Sequence, residues 1–324
     1  MERTIDLVVP MVFPQDPEWQ RDYERYHGSG QTMNNVRFRS WGTEELLVRC
    51  CMKYMPWIRQ IHILLARESQ VQPWMKDIQS LLKSSLDGKG EDGMKIRIVF
   101  HRDFIPAEHL PCFASPCIEM FLHRIPGLSD CFIYANDDMF PLSPLEPSDF
   151  FRPEGPGGTP LPCQIIKDRT YPTSPNTFQK KCMWQQNMIG KPFGKHFTKT
   201  YPDTGHIFSA ILKSSCEEVW RRHGEEISRY LSPLGRTDHS ANNWIYLLYQ
   251  QFAGLYVAYR PTRHYTDQNT PTANLGAIIR DPQAGIVCLN DNEHIGDWQQ
   301  RAAIVKREIE NKLNKETGNE IQKL

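Results

Sequence analysis

The chain has no surplus of either charge: 38 lysines and arginines balance 38 aspartates and glutamates over 324 residues. That balance excludes a protein built mainly to coat nucleic acid or an anionic membrane, because both tasks need a basic excess. There is no C-x-x-C pair among the nine cysteines, at 50, 51, 112, 117, 131, 163, 182, 216 and 288, so a structural zinc site has no support. An odd set at irregular spacings is not a disulfide framework either, and several of these thiols sit in apolar runs as small hydrophobes. No segment reaches the roughly 20 apolar residues that span a bilayer. The apolar start, Ile5 to Phe13, holds Asp6 and Pro10 and lacks a basic leader and a small-residue cleavage site. These absences lead to a reducing cytoplasm as the expected location, with peripheral association to a membrane assembly left open. Internal repeats and long low-complexity tracts are missing as well.

Strand-like apolar runs occupy Ile5–Phe13, Gln60–Ala66, Lys95–Phe100 and Cys131–Ala135, then Gln164–Ile166, Leu255–Tyr259 and Gly285–Leu289. Helical patterns fall between several of them. Thr43 precedes a first turn carrying Glu44 and Glu45, acids that the helix dipole favours there. Ser115-Pro116 reads as a cap with proline at the first helical position, opening a helix towards Arg124. Trp298, Ala302, Val305, Ile309 and Leu313 recur every three or four residues and mark an amphipathic helix that packs on a sheet. The βαβαβ alternation through Ala135 predicts an α/β fold with a parallel, nucleotide-binding type of sheet. Glu154 to Pro162 is a loop, and Lys167 to Asp203 has little regular periodicity. One catalytic domain over 1–324 is therefore expected, with an irregular insertion or lid over 152–204.

The most informative segment is Cys131-Phe132-Ile133-Tyr134-Ala135-Asn136-Asp137-Asp138-Met139-Phe140. It is an apolar strand covered on both faces that runs straight into two carboxylates. The carboxyl end of such a strand is where open α/β sheets bind ligands. Adjacent carboxylates repel unless water, donors or a cation compensate them, and a divalent metal bridging to a substrate diphosphate would do so. A solvated Asp-Asp turn is the alternative, and both stay open on local pattern. Asn290-Asp291-Asn292 also follows an apolar strand; on its own it reads as an Asx-rich turn before the final helix, and two polar strand ends would converge if both strands share a sheet. His206 is a candidate general base for a hydroxyl. Arg37 and Arg39, after a Gly-Ser-Asn-rich loop over Gly28 to Asn35, are candidates to clamp phosphate oxygens. Glu119 lies in an otherwise apolar helical run and needs a partner if buried; His123, four residues on, is the nearest one.

A resemblance covers most of the chain. Arg37-Phe38-Arg39, Glu45-Leu46, Pro56-Trp57-Ile58-Arg59, Pro73-Trp74, Leu110 to Glu119, His123 to Ser129 and Phe132 to Phe140 together resemble the Stealth family. That family includes bacterial capsular-polysaccharide sugar-phosphotransferases and the catalytic subunit of N-acetylglucosamine-1-phosphotransferase. Gly205-His206 and Val287 to Asn292 look like its later conserved regions. The resemblance implies a glycosyltransferase-A-like, Rossmann-like sheet flanked by helices, and an enzyme that moves a sugar-1-phosphate from a nucleotide-sugar to a glycan hydroxyl, releasing nucleoside monophosphate. Capsule or exopolysaccharide synthesis is the implied setting.

By the same resemblance Asp138, His206, Glu119 and Arg236 are expected to be catalytic. Arg37, Arg39, Ser115, Asn136 and Asn290 are expected to bind substrate. Asp137, Asp138 and Asp291 are expected to hold a divalent metal, Mg²⁺ or Mn²⁺. The implied partners are a nucleotide-sugar such as UDP-GlcNAc and an oligo- or polysaccharide acceptor, with homo-oligomerisation left open. Two departures stand out. The opening Asp6-Leu7-Val8-Val9-Pro10-Met11-Val12-Phe13-Pro14 lacks the family's aromatic, threonine and tryptophan, and Ala66-Arg67-Glu68-Ser69-Gln70 replaces its Thr-Asn-Gly-Gln stretch. Two alternatives follow: an ordinary metal-dependent glycosyltransferase releasing nucleoside diphosphate, or a non-catalytic glycan-binding protein on a degenerate fold.

Overall fold

The computed structural model describes residues 4–28, 36–86, 94–153, 155, 158–164, 168–196, 199–202, 205–259 and 263–321. Most of the Gly-Ser-Asn-rich loop, parts of the Glu154–Pro162 loop, Ile166 and the Asp203-Thr204 before Gly205 lie outside them.

The first half of the chain builds the frame. It runs β1 (Ile5–Pro10), α1 (Pro17–His27), α2 (Glu44–Tyr54), β2 (Gln60–Leu65), α3 (Pro73–Leu86), β3 (Lys95–Phe100), α4 (Ser115–Met120) and β4 (Cys131–Tyr134). Short strands follow: β5 (Met139–Pro141), β6 (Phe151–Arg152), β7 (Leu161–Gln164) and β8 (Asp168–Thr170). Then come α5 (Thr177–Gly190), β9 (Thr200–Pro202), β10 (Ser209–Leu212), α6 (Lys213–Tyr230), α7 (Trp244–Phe252) and β11 (Val257–Ala258). The chain ends with β12 (Arg263–Thr266), α8 (Leu275–Arg280), β13 (Ile286–Leu289) and α9 (Trp298–Ile321).

The central sheet has five strands in the order β10-β4-β1-β2-β3. All neighbours are parallel except β10, which runs antiparallel to β4 along one edge. This is the mostly parallel, helix-flanked sheet that the βαβαβ alternation predicts. The strands are apolar on both faces because both are covered. Leu7, Val9, Ile61, Ile63 and Ile133 pack into one core with α2 and α9. Val8, Leu64, Phe132 and Tyr134 point the other way, into a second core with α4, α6 and α7. Period-2 alternation thus sends Tyr134 to the same face as α4.

Chain order reverses at β1: β2 and β3 lie on one side, while β4 returns to the other. A crevice opens beyond the carboxyl ends of strands at such a switch point, and Asn136-Asp137-Asp138 follows β4 directly into it. The Asp16 carboxylate accepts from Glu18 N (3.1 Å) and Trp19 N (3.3 Å) and caps α1, with Pro17 at the first helical position. A cap of this kind contributes about 1 kcal/mol.

Three expectations change in detail. The helix from Ser115 stops at Met120 and resumes as a 3-10 turn over Leu122–Arg124, so His123 does not sit on the i+4 ridge of Glu119. Thr43 precedes α2 without a side-chain cap bond. The Asn290 end belongs to a separate three-stranded sheet, β12-β13-β5, not to the central one. Within 152–204, helix α5 stands out; Asn176 and Gln179 form a reciprocal capping box at its start.

Candidate active site

β13 pairs antiparallel with β5, the strand that starts just after Asp138, and Leu289 N donates to Asp138 O at 2.8 Å. The two polar strand ends therefore approach each other across two sheets instead of within one. Asp138, His206 and Cys288 come together, with one ligand atom from each within 4.8 Å of the others. His206 Nε2 is 3.5 Å from Asp138 Oδ2, and the Cys288 thiol donates to that same oxygen at 3.7 Å. Asp138 Oδ1 is buried with no hydrogen-bond partner among the described residues. A carboxylate oxygen left in this state has the desolvation cost of a cation ligand without its compensation. Its neighbour Asp137 is pushed up to about 8 by burial and by the charges of Asp138 and Glu44. Gly205, at φ +75°, provides the left-handed turn that brings His206 round before β10.

A cavity of about 250 Å³ lies beside this cluster. Its walls include Ser115, Glu119, Tyr134, Asn136, Lys181, His206, Arg236 and Asn243. The Arg236 guanidinium donates to Ser115 Oγ at 2.8 Å. Burial lowers the pKa of Arg236, and the nearby positive charge of Arg37 adds to that. Lys181 is buried and lowered too, chiefly by desolvation, and it feels Arg236 and Arg37 as well. Two basic side chains thus line the cavity, with the charge of Arg37 near both. They repel one another, a cost that an anion would relieve.

Glu119 faces them. It accepts from Asn243 N at 2.8 Å, and Tyr134 Oη lies 3.0 Å from its Oε1. These two, not His123, are its partners; burial lowers His123 to about 4. Burial also raises Glu119, against the pull of Asn243, Lys181 and Arg236. Tyr134 Oη is at the same time 2.8 Å from Asn136 Oδ1, and Asn136 Nδ2 lies 3.4 Å from His206 Nε2. One hydroxyl proton cannot serve both acceptors. With Glu119 protonated, the chain becomes directional: Glu119 donates to Tyr134, Tyr134 to Asn136, and Asn136 to His206 Nε2. That arrangement leaves Nε2 as the unprotonated ring nitrogen, its lone pair facing Asn136 until an acceptor hydroxyl takes the amide's place. Burial pulls the His206 imidazole down, but Asp138 and Glu119 outweigh it and leave the pKa raised.

Of the remaining predicted residues, Arg39, Asn290 and Asp291 lie outside the cavity and Arg37 lies near its basic side. Arg39 and Asp291 are engaged with each other: Arg39 Nε donates to Asp291 Oδ2 at 2.7 Å, its Nη2 bonds the second oxygen, and Trp41 Nε1 adds a bond at 2.9 Å. Asn290 N donates to Thr266 O at 3.1 Å. Neither Asn290 nor Asp291 lines the cavity or joins the Asp138 cluster. Arg37 is near enough to Arg236 and Lys181 to shift both.

Lys181, Tyr134 and Cys288 were not singled out from the sequence. The Asn176-x-x-Gln179 box signals the helix that carries Lys181, while Tyr134 and Cys288 sit in apolar runs where they look like core residues. As donors for a cation, the Asp138 carboxylate suits Mg²⁺ or Mn²⁺, which take oxygen and fill their remaining positions with water and substrate phosphate. The His206 nitrogen and Cys288 sulfur are softer donors, favoured by later transition metals.

The chain matches Stealth protein conserved region 2 over residues 37–157. It is 29% identical to the receptor polysaccharide phosphotransferase WefC of Streptococcus oralis, over 91% of this chain and 93% of that protein. It is also 29% identical to the capsular polysaccharide phosphotransferase WcwK of Streptococcus pneumoniae, with the same coverage. Identity to the capsular polysaccharide phosphotransferase LcbA of Aeromonas hydrophila is 27%, over 83% of this chain and 72% of that one. Among solved structures, mouse xyloside xylosyltransferase 1 has 8% identity and a TM-score of 0.44, covering 89% of this chain and 98% of that chain. The galactosyltransferase LgtC, with donor and acceptor sugar analogues, has 11% identity and a TM-score of 0.42, covering 93% and 95%.

Proposed function

The chain belongs to the Stealth family, and from that premise we propose that it transfers a sugar-1-phosphate from a nucleotide-sugar to a hydroxyl of a growing surface polysaccharide. The supporting observation is the meeting of His206 and Asp138, 3.5 Å apart, at the mouth of a cavity with a basic wall. In the proposed step the acceptor oxygen attacks the phosphorus that bears the sugar. A bond forms between them, the bond from that phosphorus to the nucleoside phosphate breaks, and nucleoside monophosphate leaves. The hydroxyl proton passes to His206 Nε2, and Asp138 stabilises the imidazolium that results. Arg37, Lys181 and Arg236 bind the phosphate oxygens, on which charge builds at the transition state. Ser115 orients Arg236, while Glu119 and Asn136 fix the direction of the hydrogen bonds reaching His206.

A divalent cation, Mg²⁺ or Mn²⁺, would be held by Asp138 with Asp137 behind it and would neutralise the diphosphate. Arg39 and Asp291 tie the end of β13 to the segment after Arg37 and so position Cys288 and Arg37. The donor we favour is UDP-GlcNAc or a related nucleotide-sugar, the acceptor an oligo- or polysaccharide, and the setting the cytoplasmic side of capsule assembly. The whole chain acts as one catalytic domain, with the 152–204 segment closing one side of the cavity through α5.

The test is to incubate the pure protein with a panel of nucleotide-sugars, with and without Mg²⁺, and to identify the nucleotide product by mass. Nucleoside monophosphate is expected. Nucleoside diphosphate would reassign the protein to ordinary glycosyl transfer, and binding without any turnover would make it a glycan-binding protein.

A further inference from the structure

We propose that the exposed ring of Tyr265 is the subsite for the acceptor sugar, seating it so that its hydroxyl faces His206; this deepens the transfer reaction proposed above and rests on it for the direction of attack. Tyr265 lies on β12 at the edge of its three-stranded sheet. It is 48% exposed, whereas the next residue, Thr266, is 2% exposed. The Tyr265 ring and the His206 imidazole stand nearly perpendicular, with centroids 6.2 Å apart and planes at 82°. Strand register pairs Tyr265 with Cys288, the thiol that reaches Asp138 Oδ2. His206 lines the cavity and Tyr265 does not, so the imidazole stands at the boundary between the cavity and this ring.

The core does not account for Tyr265. Its ring is not among the side chains of any core cluster. Five large hydrophobic side chains are exposed among the described residues, and two of them, Tyr265 and Phe178, stand at this site; Phe178 lines the cavity. Exposed aromatics gathered at a cleft mark a binding surface. The electrostatics choose the ligand class. An aromatic face carries negative quadrupole charge and repels phosphate, which Lys181 and Arg236, with Arg37 near them, take instead. A neutral pyranose offers one face of C–H bonds that packs on an aromatic ring, with hydroxyls at its edge that can point at His206. A nucleobase also stacks on tyrosine, but it does not bring an acceptor hydroxyl to the imidazole.

The experiment is saturation-transfer difference NMR on the full chain, with the methyl glycosides of glucose, galactose and N-acetylglucosamine and with uridine monophosphate as probes. Wild type is compared with Tyr265→Ala, Tyr265→Phe and Tyr265→Leu, each checked by its melting temperature. The expected result is transfer from wild type and Tyr265→Phe to at least one glycoside, strongest at its ring C–H protons. Affinity should fall about tenfold, which is about 1.4 kcal/mol, in Tyr265→Ala, or in Tyr265→Leu should the alanine variant not fold. Unchanged glycoside binding in those variants, or none in the wild type, overturns the proposal. So does loss of uridine monophosphate in place of the glycoside, which would make the ring a platform for the base. The glycoside signal needs no turnover. A protein that binds sugars through Tyr265 yet releases nucleoside diphosphate would therefore sink the proposed reaction and leave the subsite standing.

Discussion

In the proposed reaction Asp138 and His206 divide the chemistry between them, because an imidazole that holds a cation cannot take a proton in the same step. Asp138→Asn and His206→Ala should each lower turnover at least about hundredfold, the usual scale for a lost acid-base group, while cooperative melting persists. Steady-state nucleotide release alongside a thermal melt checks both. Tyr134→Phe is the finer probe. It removes only the hydroxyl that links Glu119 to Asn136, at 3.0 and 2.8 Å. A lost buried hydrogen bond of about 1–1.5 kcal/mol should reduce kcat by about tenfold and leave donor KM nearly unchanged. A rise in KM alone would place Tyr134 in donor binding instead. Asp138 at a strand end, His206 as a candidate base and Glu119 in an apolar run are legible as candidates in the sequence, and the resemblance adds the roles proposed for them. Lys181 and Cys288 are not, since a lysine beside another lysine and a cysteine in an apolar strand look like surface and core until the fold brings them to the site.

At the scale of elements, the crevice depends on how β1, β2 and the turn before β4 are fastened together. Asp6, fully buried, does this: Arg59 Nε donates to Oδ1 at 2.8 Å, while His62 Nε2 and Ser129 N reach Oδ2 at 3.0 and 2.9 Å. Burial pushes the Asp6 carboxyl up, but His62, Arg59 and Ser129 outweigh it and hold its pKa below the ordinary 3.8. A carboxyl depressed on folding stabilises the native state above its unfolded pKa, and that contribution is lost as pH falls through the folded value. Asp6→Asn should cost about 3–5 kcal/mol, as for a broken buried ion pair, and should flatten the stability profile below about pH 4. Urea unfolding at several pH values measures both.

The βαβαβ strands were legible because apolar runs of four to six residues fit a sheet covered on both faces. The short strands β5, β12 and β13 were harder. Their pairing depends on contacts far apart in sequence, so the meeting of Cys288 with Asp138 had no local signal beyond an apolar run. The end of α4 was missed for a different reason: the chain tightens into a 3-10 turn with no proline or glycine to announce it.

For the molecule as a whole, burial of neutral histidine makes folding sensitive to acid. His101 is buried, its Nδ1 has no hydrogen-bond partner among the described residues, and desolvation holds its pKa at about 4 against an ordinary 6.5. A lowered histidine pKa means that the unfolded chain binds the proton first, so stability is full above pH 6.5 and declines as pH falls towards 4. The loss from this one group is on the order of 3 kcal/mol, and His101→Gln should remove most of that slope. Chemical denaturation between pH 7 and 4 is the check, and an identical slope in the variant would refute it. The charge balance that excluded nucleic-acid coating is compatible with a locally basic cavity, because Lys181 and Arg236, with Arg37 near them, are three cations among 38.

Attack at phosphorus separates the proposed reaction from ordinary glycosyl transfer, and the bond made in the product reports which of the two occurs. The protein should be supplied with the nucleotide-sugar it turns over, Mg²⁺ and an oligosaccharide acceptor, and the purified saccharide examined by ³¹P NMR. A phosphodiester resonance in the saccharide, matched by an equal amount of nucleoside monophosphate, is predicted. An elongated saccharide free of phosphorus, with nucleoside diphosphate released, would contradict the account.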